Sequence, residues 1–276
     1  MTPEHIDLLA ALGRARAGVR VEVEKPYLIE SRLTPLARRE GFESIEALVD
    51  ELRAKREERL IWAVVESLCR TETTFFRGRQ AFAALRDGIL PSLSHRRDTP
   101  LRIWSAACAT GQEVYSVAMA ATEATGLAPG TRFEFFGSDL SERCLEKAQT
   151  GLYTQFEVQR GLPIRMLVKY FENQDDTWTI SPRIRQMVRW RRINLLSDLS
   201  ALGSFDVILL RNVLRNMVPA LRGKVVRGLA ARLATDGVLA LDPEDDVSDL
   251  RDILVAAPGG TGLYLRDPTI GTAAAA

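Results

Sequence analysis

The 276-residue chain is poor in the side chains that most often carry nucleophilic and metal chemistry. It has two histidines, His5 near the N-terminus and His95 in a polar stretch, which argues against a Ser-His-Asp relay or a histidine-bound metal. Its three cysteines, Cys69, Cys108 and Cys144, are odd in number and far apart, with no CxxC spacing. Neither a disulfide framework nor a zinc site is expected, and a reduced, cytoplasmic protein fits best. No apolar run reaches the ~20 residues that span a bilayer, and the early acidic residues of the N-terminus do not suit a signal peptide. With 37 basic and 36 acidic residues, bulk charge favours neither nucleic acid nor an anionic membrane.

What is present divides into two patterns. Residues 1 to about 90 read as helical. Ile6, Leu8, Leu9 and Leu12 form one apolar face, and Tyr27, Leu28, Leu33 and Leu36 a second after Pro26. Ser44 is placed to cap the helix that begins at Ile45, and Leu60, Ile61, Val64, Val65 and Leu68 make a strongly apolar helix. The arginines here are interspersed with acids, as on a solvated helix surface.

From residue 101 strands alternate with helices. Leu101–Trp104, Phe133–Gly137, Arg189–Asn194, Phe205–Leu210 and Val238–Leu241 read as strands; Gln112–Ala121, Glu142–Thr150 and Pro219–Ala234 read as helices. That rhythm predicts an α/β fold with a parallel sheet covered by helices. Trp178 to Arg192 breaks it and suggests a small β insertion, its arginine-rich end on a hairpin. The expected division is a helical domain over 1–75, a linker and first helix over 76–90, and a sheet domain over 91–268. The β insertion is expected near 171–192, and the tail 269–276 is expected to be disordered.

The turn Ser105–Gly111, S-A-A-C-A-T-G, joins the first strand to a helix, a place where backbone N–H groups face a ligand. It lacks the GxGxxG spacing for a pyrophosphate, and no Walker lysine follows, so a nicotinamide oxidoreductase or an ATPase is disfavoured. Asp139 closes the second strand about 30 residues later, where a carboxylate can accept hydrogen bonds from both hydroxyls of a ribose. The alternative for Asp139 is a helix cap, a role Ser141 can take. A nucleoside without phosphates is indicated, and S-adenosylmethionine is the first candidate.

T-E-T-T-F-F-R (Thr71–Arg77), S-A-A-C-A-T-G-Q-E-V-Y-S (Ser105–Ser116), S-D-L (Ser138–Leu140), G-L-Y (Gly151–Tyr153), N-L-L (Asn194–Leu196) and F-D-V-I-L-L-R-N-V-L (Phe205–Leu214) follow one another along the chain. In order and spacing they resemble the CheR family of chemotaxis-receptor glutamate methyltransferases. The resemblance covers almost the whole chain. It implies a Rossmann-like S-adenosylmethionine-dependent methyltransferase domain behind a small all-helical N-terminal domain.

By that resemblance Thr71, Thr73 and Arg77 reach the cofactor from the linker, with Arg77 also at the catalytic centre. Ala107 lines the turn, Gly111 and Glu113 lie at the methionine end, and Asp139 and Leu140 lie at the ribose. Asn194 and Leu195 flank the adenine, and Arg211 and Asn212 close the site. Where the family carries an aromatic hydroxyl beside the transferring methyl, this chain has Asn216, next to Arg215 in place of an apolar residue. Ala107 stands where glycine is usual, and Asp242-Pro243-Glu244-Asp245-Asp246 is acidic beside a site meant for an acidic substrate.

The implied activity is methyl transfer to glutamate carboxylates on the cytoplasmic helical domain of methyl-accepting chemotaxis receptors, by a monomer that leaves S-adenosylhomocysteine. The alternative is a divergent S-adenosylmethionine-binding relative acting as a regulatory module. The short turn Asn173–Asp176 lacks the glycine-rich form of members that hold a receptor tether, so no tether is expected.

Overall fold

The computed structural model describes residues 1–245, 247–257 and 262–266, and the expected tail 269–276 lies outside them. The chain forms two compact units: Met1–Arg70 with Leu214–Lys224, and Thr71–Val213 with the chain from Val225.

The first unit holds α1 (Pro3–Ala17), α2 (Pro26–Arg39), α3 (Ile45–Lys55) and α4 (Glu58–Leu68). Thr2 and Ser44 accept hydrogen bonds from the N–H groups of His5 and Ala47, satisfying first-turn donors that the helix itself leaves open. Ile29, Leu33 and Leu36 recur at helical spacing and are buried, whereas Tyr27, expected on that face, is 62% exposed. Leu60, Ile61, Val64, Val65 and Leu68 of α4 are all buried; each contributes about 1.5–3 kcal/mol by leaving water. Within the unit Val19 bridges Met217, and Arg20 N donates to the carbonyl of Asn216 at 2.8 Å.

The second unit opens with α5 (Arg79–Ala84), a π-helical turn over Leu85–Ile89 and α6 (Leu90–Ser94). Then come β1 (Leu101–Ala106), α7 (Gln112–Thr122), β2 (Phe133–Asp139), α8 (Glu142–Thr150), β3 (Leu152–Thr154), α9 (Gln155–Gln159) and α10 (Ile164–Tyr170). After them lie β4 (Phe171–Gln174), β5 (Thr177–Ile180), α11 (Pro182–Arg185), β6 (Val188–Arg192) and β7 (Phe205–Leu210). The helix α12 (Pro219–Ala230) bridges the chain break between the units, and β8 (Leu233–Leu241), β9 (Leu254–Ala256) and β10 (Leu263–Arg266) finish the sheet.

Seven strands form one sheet in the order β6-β2-β1-β7-β8-β10-β9, parallel from β6 to β8 and antiparallel at β10. Chain order runs outward from β1 to β2 and β6, then returns to β7 and β8. The loops therefore diverge above the C-terminal ends of β1 and β7, where open α/β sheets bind ligands.

Three details differ from the sequence reading. The β insertion is a three-stranded antiparallel sheet, β3-β5-β4, so it recruits Leu152–Thr154 from upstream. The arginine-rich run is not on a hairpin: it passes through α11 into β6, the parallel edge strand of the main sheet. The strand β8 starts at Leu233, because residues 234–237 bulge out between the Phe205–Leu233 and Val207–Val238 pairs, and Thr235-Asp236-Gly237 reads as a turn in sequence. The core of the unit takes in Phe75, whose ring packs edge-on to Tyr153 at 5.0 Å and Phe171 at 5.5 Å, so the linker is built into the insertion.

Candidate functional site

The strand ends carry two linked clusters. At the first, Asp139 Oδ2 accepts from Ala109 N at 2.8 Å and Oδ1 from Ser141 N at 2.9 Å, while Ser141 itself caps α8 through Cys144 N. The cap alternative for Asp139 is thereby taken by its neighbour. Burial pushes the Asp139 carboxyl above its ordinary range, opposed by the backbone N–H groups of Ser141, Ala109 and Leu140. An ionised carboxylate offers about four lone-pair sites, so it can accept from a ligand hydroxyl as well. Ile193 N donates to the Asp139 carbonyl at 2.9 Å, which brings the Asn194–Leu195 segment to this end. Asn194 Oδ1 accepts from Leu196 N at 3.0 Å, and the Leu140 carbonyl accepts from Arg192 Nε.

The turn between the clusters is held on both sides. Cys108 N donates to the Ser138 carbonyl at 2.8 Å, and Ala107 and Ala109 sit at φ 56° and 48°, the left-handed region that a Cβ disfavours. Both alanines thus carry the strain of that region, Ala107 at a position where the family usually has glycine. Gly111, at φ 87°, starts α7; a Cβ there would lie 2.9 Å from Ala148 Cβ and 3.0 Å from the Trp190 ring. Protein fills that side, so Gly111 could meet a ligand only with its backbone.

The second cluster is a group of buried charges. Glu113, in the first turn of α7, accepts from Ser105 Oγ at 2.8 Å, and its carboxylate stands 3.8 Å from Arg211 Nη1. Burial pushes the Glu113 carboxyl up, opposed by Arg211, the Ser105 hydroxyl and Arg77. The Arg211 side chain is 3% exposed. It donates to the Arg77 carbonyl and, at 3.2 Å, to Asp242 Oδ1, and its guanidinium lies 5.8 Å from the Phe82 ring centre. The backbone N–H of Asn212, at φ 62°, donates to Asp242 Oδ2, and Asn212 Nδ2 donates to the Glu72 carbonyl at 3.4 Å. These contacts draw the linker that carries Thr71, Thr73 and Arg77 to the end of β7. Thr71 is exposed there and Thr73 half-buried.

Of the residues expected from sequence, the structure brings Glu113, Arg211, Asn212 and Arg77 together, and Ala107, Asp139, Leu140 and Asn194 together, with the turn linking the two groups. Asn216 lies in the Leu214–Lys224 segment that groups with the helical unit. The sequence reading missed Ser105, Asp242 and Trp190. Ser105 lay inside the quoted turn but was given no role. Asp242 was counted as part of an acidic liability, yet it is buried and bound to Arg211 and Asn212, and Asp245 is buried against its N–H. These two carboxylates are part of the site's frame. Neither histidine belongs to it: His5 bonds Asp50 and His95 bonds the Gly126 carbonyl. Among the described residues no group of acids, histidines and cysteines could hold a metal, and no helix is long and apolar enough to cross a membrane.

Sequence comparison identifies the framework. The family profile described as the SAM binding domain of CheR methyltransferase matches residues 71–258, and that of the CheR all-alpha domain matches residues 4–68. The chain belongs to the CheR methyltransferase family. A chemotaxis protein methyltransferase 1 of Vibrio cholerae is 32% identical over 241 residues, which are 86% of this chain and 87% of that protein. Chemotaxis methyltransferases of Pseudomonas putida and Pseudomonas aeruginosa are each 32% identical, over 242 and 240 residues, covering 85% of this chain and 87% of each relative. This CheR chain is a methyltransferase and its cofactor is S-adenosylmethionine. The residues present fit that group: Asp139 can accept from a ribose diol. Glu113 and Asp242, set beside the Arg211 and Arg77 guanidinium groups, offer charges of both signs to a ligand that carries a sulfonium, an ammonium and a carboxylate.

Proposed function

We propose that the protein methylates glutamate side-chain carboxylates on the helical cytoplasmic domain of methyl-accepting chemotaxis receptors. The observation that carries this reading is the make-up of the strand-end site: paired carboxylates and arginines, with both histidines engaged elsewhere. A hydroxyl, amine or ring-nitrogen acceptor has a proton to lose. A glutamate is already ionised at neutral pH and needs no base. The names of the chemotaxis relatives support the same substrate class.

When bound, S-adenosylmethionine supplies a methyl group on a positively charged sulfur. Asp139 and Leu140 would hold the ribose, Asn194 and Leu195 would flank the adenine, and the backbone of Ala107 to Gly111 would face the cofactor from the turn. Glu113, kept in place by Ser105 and Arg211, faces the positive end. Asp242 clamps Arg211 and the Asn212 backbone, and Arg211 in turn holds the Arg77 carbonyl, so the linker is fixed over the strand ends with Thr71 and Thr73. Arg77 binds one oxygen of the incoming carboxylate and leaves the other to attack. Methyl transfer from the sulfonium to a carboxylate would neutralise both charges, and the burial of Glu113 and Arg211 keeps water from the side chains around that step. Alignment of well-oriented groups can supply on the order of 7–11 kcal/mol.

The test is transfer of labelled methyl from the cofactor to a receptor cytoplasmic fragment, followed by mild base. Label on the receptor that base releases as methanol is the expected result. A base-stable label, or none on any receptor while a small acceptor is methylated, would overturn the reading.

A further inference from the structure

A groove lies on the parallel sheet beside its edge strand β6. Strands of a parallel sheet are normally covered by helices on both faces. On the α7–α8 side of β6 that cover is present: Trp190 packs on Tyr115, with ring centres 5.6 Å apart, and against Gly111 and Gly137. Successive side chains of a strand alternate in direction, so Arg189 and Arg191 emerge on the opposite face. There the crossover from β6 to β7, residues 193–204, holds only a single 3-10 turn, Ser200–Leu202, where such connections usually place a helix. The result is a groove of about 180 Å³ floored by Phe136 and Phe205 and walled by Leu202, Arg102, Glu134, Arg189 and Arg191.

Its charges are unequal in state. Arg102 is committed: it sits 4.5 Å from the Phe205 ring, donates to the Ser204 and Leu202 carbonyls, and pairs with Glu134 at 3.5 Å. Arg189 and Arg191 are exposed and have no ion pair among the described residues. Charge on an edge strand can serve simply to block edge-to-edge pairing. Here both guanidinium groups border a groove with an aromatic floor, which blocking alone does not require.

We propose that this groove docks an acidic helix of the receptor substrate, lying on the sheet where the fold omits its own helix. The inference rests on the reading of the substrate as a glutamate-bearing helical domain. Two residues of strand separate the arginines by about 6.6 Å, and carboxylates four apart on a helix are about 6 Å apart along its axis. One helical face with acids at that spacing meets both guanidinium groups while its apolar side rests on Phe136 and Leu202.

The test measures anisotropy of a labelled receptor cytoplasmic fragment titrated with the cofactor-loaded protein, beside methyl transfer. Arg189→Glu/Arg191→Glu weakens fragment binding about ten-fold or more and raises the KM for receptor in step, with cofactor affinity and thermal midpoint unchanged. Arg189→Gln/Arg191→Gln gives an intermediate loss, and Arg183→Glu, on α11 outside the groove, gives none. Fragment binding that is indifferent to the charge reversal, or absent from the wild type, overturns the docking proposal. Fragment binding that needs the two arginines without any methyl transfer sustains the docking surface and overturns the receptor-methylation reading.

Discussion

The same charged residue types do different work in the helical unit and at the strand ends of the sheet unit. In the former, Arg59 reaches Glu40 at 2.7 Å and Arg16 reaches Glu58 at 2.6 Å, with the arginine side chains 64% and 36% exposed. Pairs of that kind are screened by water and contribute little. At the strand ends, Glu113, Arg211 and Asp242 are 13%, 3% and 5% exposed, and each depends on its neighbours to offset the loss of solvent. Holding a cluster of unequal charge out of water is costly for a fold and useful to a site that binds a cation.

Four substitutions test that contrast. The largest effect is expected from Asp242→Ala, which removes the acceptor of both Arg211 and Asn212 and leaves a buried guanidinium short of a partner. Stability should fall by about 3–5 kcal/mol in urea titration. Cofactor binding should weaken at least as much as in any other single variant, and if it is untouched the frame role of Asp242 fails.

Next is Glu113→Gln, which should weaken cofactor binding by about 10–100-fold, on the scale of a lost buried charge contact, by calorimetry. Burial raises the Glu113 carboxyl in the folded protein, so its ionised form is a cost above that raised value and no cost below its ordinary range. In the ligand-free state the variant should therefore be the more stable at neutral pH. Its advantage should shrink as pH falls through the window between the raised and ordinary values. A difference independent of pH would contradict the assignment.

Ala107→Gly relieves a left-handed alanine and should change stability by at most about 1 kcal/mol, in the stabilising direction. A clear destabilisation would mean that the Ala107 methyl contributes to packing. Smallest is Arg59→Gln on the helical unit, expected to leave the urea midpoint where it is; a marked shift would place that surface among the structural charges.

Much of the fold was readable along the chain. The apolar spacing of α4, the cap at Ser44 and the bounds of α8 and β7 depend on local patterns, and local patterns are what a sequence displays. Misreadings fell where pairing partners decide the outcome. The strand at Val188–Arg192 was expected, but its partner was not: it pairs in parallel with β2 and not in a hairpin. Leu152–Thr154 is too short to read as a strand and becomes one against β5. At the strand ends, most of the residues that the structure gathers lie within the quoted motifs, Ser105 among them without an expected role, and Asp242 reaches in from outside them. Asp242 lies 31 positions from the arginine it holds, and nothing in the acidic run around it points to that partner.

The linear chain was enough to establish the two-part architecture, the strand–turn–helix from β1 to α7, the place of Asp139 at the end of the second strand and the CheR kinship, because each rests on short-range spacing. Which charges are desolvated, that Asp242 belongs to the frame and not to the surface, that Asn216 groups with the helical unit, and that one sheet face lacks its helix were decided by the tertiary structure. Burial and long-range pairing set the energy of a charge, and neither is a property of neighbouring residues in sequence.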